Sequence, residues 1–213
     1  YLDSLQDRLC EEFTAVDDGL WREDRWLRKE GGGGYSRSLS GGSIIEKLGV
    51  NVSHIFGKTL PSAATDKRPE LTGRGFEAMG LSLVVHPKNP YVPTAHANVR
   101  FFAAEKPDHE PIWWFGGGYD LTPYYGNVQD CVHWHREAKN ACEKVSPDLY
   151  DRFKKSCDQY FYLPHRDEHR GIGGLFFDDF NELGFSESFK LMRCIGDSFS
   201  VAYFPILNRR KSK

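Results

Sequence analysis

Between residues 21 and 116, glycine and proline cut the chain into short runs, each close enough to the next in sequence to pair with it as an antiparallel strand. The runs are 21–28, 35–39, 43–48, 50–56, 76–86, 98–104 and 111–116. The stretch GGGGYSR from Gly31 to Arg37 lacks the lysine and the spacing of a phosphate-cradling loop, so it reads as a hairpin turn. The polar stretch 61–74 reads as a loop.

Helical patterns bracket this β-region. At the start, Leu2, Leu5, Leu9 and Phe13 recur at helical spacing, with Asp3 and Ser4 as caps. After residue 127 an apolar stripe of Val128, Cys131, Val132, His135, Ala138, Ala141, Cys142 and Val145 predicts a second helix. Positions two apart on a helix point in different directions, so His135 is expected to face inward and His133 to face water. Ser146-Pro147-Asp148 announces a third helix through Leu149, Phe153, Cys157, Tyr160 and Phe161, ending near Pro164. Residues 173–178 read as one more strand and 186–204 as a last helix. The order is helix, about six strands, two helices, strand, helix. It predicts an α+β fold over residues 1–213 as one domain, with a large, mainly antiparallel sheet flanked by helices on both faces. The terminal NRRKSK reads as an exposed tail or as the point where a longer chain has been cut.

Charge and cysteine use narrow the classes of function. With 28 Lys and Arg against 30 Asp and Glu, and without long blocks of one sign, nucleic acid is a poor candidate partner. No apolar run approaches the ~18 residues of a spanning helix, and the first residues look like an amphipathic helix rather than a cleaved signal. Five scattered cysteines without a C-x-x-C pair predict reduced thiols in an intracellular protein, and leave the eight histidines as the better ligand candidates.

The chemistry concentrates between Gly80 and Tyr125. On a strand, Ser82 and His86 share one face of LSLVVH, and His96, Asn98 and Arg100 share one face of HANVR. Such a face is either solvated or the wall of a polar pocket. His86, His96, His135 and His165 lie on different elements and would suit a borderline divalent metal, or would serve as acid–base groups. Arg100 offers a planar fork for a carboxylate or phosphate, or an internal salt bridge to one of the chain's own acids. Asp120 follows Gly116-Gly117-Gly118, where it either accepts hydrogen bonds from ligand N–H groups or stabilises a turn.

These residues sit in segments that resemble the oxygen-dependent coproporphyrinogen-III oxidase family of haem biosynthesis: GVNVSHIFG, RPELTGRGFEAMGLSLVVHPKNPYVPTAHANVRFF, WWFGGGYDLTPYY, HWHREAK and YFYLPHRDEHRGIGGLFFDD, in that order. The resemblance implies oxidative decarboxylation of propionates of coproporphyrinogen III to vinyls, with dioxygen as co-substrate and no organic cofactor. It implies His96 as proton donor, and Ser82, Asn98, Val99 and Arg100 as substrate contacts. Asp120 would sit on the pyrrole N–H groups, and a divalent metal on His86, His96, His135 and His165. It further implies a homodimer, completed by a C-terminal segment beyond NRRKSK, in the cytoplasm or an organelle. Two other classes compete: an inactive homologue that only binds a tetrapyrrole, and a histidine-ligated metal oxygenase or hydrolase acting on a smaller acid.

Overall fold

The computed structural model describes residues 1–60, 65, 66 and 68–213. Helix α1 (Leu2–Val16) leads into six consecutive strands: β1 (Leu20–Leu27), β2 (Gly32–Ser40), β3 (Ile45–Gly57), β4 (Gly75–Pro87), β5 (Thr94–Lys106) and β6 (His109–Thr122). Helices α2 (Val128–Glu143) and α3 (Leu149–Tyr160) follow. After them come a small hairpin of β7 (Tyr162–Leu163) and β8 (Glu168–His169), strand β9 (Gly173–Phe180) and helix α4 (Gly184–Arg210). The main sheet runs β1-β2-β3-β4-β5-β6-β9, and every neighbouring pair is antiparallel. The expected α+β architecture and order of elements are observed. The predicted loop at 61–74 lies partly outside the described residues, and its described end holds a single 3-10 turn at Pro69–Leu71.

The pleat separates two faces. One carries Leu48, Val50, Leu81, Leu83, Val85, Ala95 and Val99, all buried on the side that α1 and α4 cover, with α2 packed against α4. Each buried leucine or valine there contributes about 1.5–3 kcal/mol of burial. The other face carries Ser36, Asn51, Ser82 and Asn98, which lie opposite one another in a continuous cross-strand row. Helical cover is therefore unequal. Helix α3 runs along the β9 edge, with Phe153 against the core-facing Phe177, and only its last residue, Tyr160, comes round to stack on Phe176 of the open face.

Several expectations need correction. The runs 43–48 and 50–56 are one strand, because Gly49 sits in line within β3 opposite Val84 and Ser38. The glycines expected in a hairpin turn lie mostly within β2, and the turn falls at 29–31, closed by Arg28 N–H to Gly32 O at 2.9 Å. Gly34 is needed inside the strand, since a Cβ there would come within 2.3 Å of the Trp26 ring. On α2 the buried stripe is rotated from the predicted one: Trp134 is buried, whereas Val128 and Val132 are exposed.

His133 does not face water, and α4 does not end at Phe204, for one shared reason. Pro205 cannot donate to the carbonyl four residues earlier, Val201 O, and the His133 Nε2–H takes that acceptor at 3.0 Å. NRRKSK is also not simply a tail. Arg209 and Arg210 lie in the last turn of α4 and both bind the buried carboxylate of Asp130. All five cysteines are unpaired thiols, and burial pushes those of Cys142 and Cys157 up to about 12. Among the described residues, no helix is long and apolar enough to cross a membrane.

The junction between α1 and the sheet hangs on Asp17. Its buried carboxylate accepts hydrogen bonds from Gly19 N at 2.8 Å and from Ile44 N and Ile45 N at 2.7 Å. Removing it strands backbone donors that are shielded from water, so Asp17→Ala should lower the unfolding free energy by about 3 kcal/mol. Equilibrium urea denaturation reads this directly, and a loss below about 1 kcal/mol would refute the assigned role.

Candidate active site

The open face acquires its chemistry from the pairing of β5 with β6. In that register His96 lies opposite Asp120, Asn98 opposite Gly118 and Arg100 opposite Gly116. The Gly116-Gly117-Gly118 run is thus mid-strand and not a turn, so turn stabilisation is not what Asp120 does. Its glycines serve close approach: a Cβ on Gly116 would come within 2.8 Å of Arg100 Nε, and one on Gly118 within 2.1 Å of Leu175 O. With the strand bare at these points, a cavity of about 940 Å³ opens above it. His86, His96, Asn98, Arg100, Asp120 and Arg170 line its polar side, while Tyr160, Phe161 and Phe176 form an aromatic wall.

Asp120 is the centre of the polar network. Its side chain is 2 % exposed, and a buried carboxylate is tolerated only where charge or donors meet it. Arg170 Nη2 donates to Oδ2 at 2.7 Å, and His96 Nδ1 stands 3.0 Å from Oδ1. With Nδ1–H donating to the carboxylate, Nε2 remains available to a reacting group as acceptor when neutral and as donor when protonated. Carboxylate, imidazole and open ring nitrogen form an arrangement suited to moving one proton. Arg170 is held from behind: its guanidinium lies 3.9 Å above the Phe161 ring, its backbone N–H donates to Phe161 O, and Ile172 N–H donates to Leu121 O.

Arg100 is steered rather than loose. Nη1 donates to Asn98 Oδ1 at 2.6 Å and Nη2 meets Asp178 Oδ2 at 3.0 Å. The internal salt bridge is therefore present, yet the guanidinium still borders the cavity with a third of its side chain exposed. Ser82 lines an adjoining hollow of about 750 Å³, which shares Asn98 and Arg100 with the first. Val99 points the other way, into the helix-covered core, so its side chain does not reach the cavity.

The four histidines separate. His86 and His96 line the cavity. Both ring nitrogens of His135 are engaged elsewhere, Nε2 with Ile172 O and Nδ1 with the Tyr150 hydroxyl, each at 2.9 Å. His165 is exposed in the β7–β8 turn and does not line the cavity. As arranged, these imidazoles do not fit a common metal. Among the described residues, no group of three or more His, Cys, Asp or Glu side chains is placed to hold one.

Arg170, which lines the cavity and pairs with Asp120, is the candidate site residue that sequence reading missed. The available signal was Asp120 itself, since a buried carboxylate demands a cation, and HRDEHR is one of the basic clusters that follow it in the chain. His135 generates a test of its own. Burial lowers its pKa below the ordinary 6.5 even though the Ile172 carbonyl favours the charged ring. As pH falls the unfolded chain takes up that proton first, so the stability held by the neutral ring is complete above about 6.5 and is lost progressively below it, down to the folded value. His135→Gln should flatten the decline in urea midpoint between about pH 7 and about pH 5, and parallel curves for the two proteins would remove this role. Compared with known families, residues 1–213 match the family model described as coproporphyrinogen III oxidase.

Proposed function

The chain belongs to the coproporphyrinogen III oxidase family, and from that premise we propose that its open-face cavity carries out oxygen-dependent decarboxylation of coproporphyrinogen III propionates to vinyls, leading to protoporphyrinogen IX. The observation that carries this reading is the convergence of Arg100, His96 and the Asp120–Arg170 pair on one hollow with an aromatic wall. A reduced tetrapyrrole is large, bears carboxylates and presents acidic N–H groups at its centre. The cavity offers a guanidinium fork for a carboxylate, rings for the flat faces of pyrroles, and a proton-accepting nitrogen.

The electron balance fixes what the residues must do. A propionate losing carbon dioxide to become a vinyl also gives up a hydride from the carbon adjacent to the ring, and dioxygen takes that hydride to become hydroperoxide. Loss of the pyrrole N–H proton enriches the ring and drives the hydride out; the exocyclic double bond then forms, and decarboxylation returns the electron pair to the ring nitrogen. His96 Nε2 accepts the pyrrole proton, with Asp120 stabilising the imidazolium, and then delivers it to the hydroperoxide. The ring nitrogen is reprotonated from solvent. Asp120, almost wholly covered, thus acts through His96 rather than as the group nearest the macrocycle. Arg100, oriented by Asn98 and Asp178, holds the reacting propionate until its charge leaves as carbon dioxide.

The test is anaerobic addition of coproporphyrinogen III followed by an oxygen pulse, with porphyrins resolved chromatographically and carbon dioxide measured. Vinyl products at the expense of dioxygen are expected, and Asp120→Asn should lower turnover by about 100-fold or more while circular dichroism stays unchanged. Binding without oxygen uptake would identify a protein that only sequesters the tetrapyrrole. Near-normal turnover by Asp120→Asn would overturn the proton path.

A further inference from the structure

The second hollow, about 750 Å³ in volume, adjoins the reaction cavity across Asn98 and Arg100. Its floor is the cross-strand row Ser36–Asn51–Ser82, which continues the line that ends at Asn98. Among the described residues, the side chains of Ser36, Asn51 and Ser82 have no hydrogen-bond partner in the protein, so their hydroxyl and amide groups face the hollow unspent. Trp26, Phe102 and Trp114 wall it, the last two stacked at 4.2 Å. This is the composition of a small-molecule site: flat apolar walls with a few convergent polar groups.

Its charges have an unusual origin. Between the Phe115–Phe180 and Gly117–Phe177 pairs, β6 has one residue and β9 has two, Asp178 and Asp179, and Asp179 adopts φ +54°. This bulge breaks the alternation of the strand and turns both carboxylates toward the second hollow, while Phe177 and Phe180 stay buried in the core. Asp178 meets Arg100, and Asp179 meets Arg68, whose guanidinium lies 4.5 Å above the Trp114 ring. The Arg68 side chain is 33 % exposed and its partner 49 %, so this pair is weak, and a propionate whose ring shields the guanidinium from water makes the stronger pair and displaces Asp179.

We infer that this hollow is a second substrate subsite, in which Arg68, stacked on Trp114, binds a propionate of a pyrrole other than the one at His96 by displacing Asp179, with Asn51 and Ser36 bonding the same ring. The inference rests on the proposed substrate. It assigns the two arginines different tasks: Arg100 holds the carboxylate that reacts, and Arg68 holds one that does not.

Anaerobic titration with coproporphyrinogen III, followed through the fluorescence of Trp26 and Trp114, separates the possibilities because it needs no turnover. Arg68→Met, which keeps the stem over the indole, should weaken binding about tenfold, and Asp179→Asn, which frees the guanidinium, should tighten it. Unchanged affinity of Arg68→Met, or weaker binding by Asp179→Asn, would overturn the subsite while leaving the proposed reaction standing. Failure of the unmodified protein to bind would overturn both.

Discussion

Everything functional in this molecule depends on the register of β5 against β4 and β6. A shift of one residue would send His96, Asn98 and Arg100 beneath the helices and bring Ala97 and Val99 to the surface. What prevents this is the opposite face, where Ala95, Ala97 and Val99 are buried in the same core as Leu81, Leu83, Tyr119 and Leu121. The apolar half of the strand thus places the polar half. Burial supplies the precision of the polar face, because a packed core admits only one register.

The open face can exist because little of it is bulky. Gly34, Ser36, Gly49, Ser53, Gly80 and Ser82 occupy outward positions on β2, β3 and β4, and Gly116 and Gly118 do the same on β6. A sheet that faces solvent would ordinarily carry long charged side chains there. Here the charges are few and individually restrained: Arg100 by Asn98 and Asp178, Arg170 by Asp120 and the Phe161 ring. The outcome is a floor on which a broad ligand can lie, with its polar contacts fixed in advance.

Much of this was readable from residue order. Strand period placed His96, Asn98 and Arg100 together, and glycine punctuation gave the succession of strands. The misplaced turns share a cause, which is that glycine has two uses. It permits turns, and it also permits close approach of neighbouring backbone or side chains. Sequence cannot tell Gly34 or Gly117 from turn glycines, because the atoms that press on them, such as the Trp26 ring and Asn98 O, come from other strands. Arg170 escaped because its partner lies fifty residues away in the chain. His133 escaped because helical phase says nothing of a carbonyl vacated by a proline on another helix. His135 shows the reverse error: its inward direction was legible, but its ring nitrogens are committed to Ile172 and Tyr150.

The withdrawn thiols carry one last implication. In the proposed scheme each decarboxylation leaves a molecule of peroxide beside the protein that produced it. Peroxide attacks thiolates, and the rate follows the fraction of thiol that is ionised and reachable. Burial raises the pKa of Cys10, Cys131, Cys142 and Cys157, and the last two are carried far above neutrality. Under that scheme these four thiols stay largely inert toward the by-product, so working lifetime need not be limited by self-inflicted oxidation of those side chains.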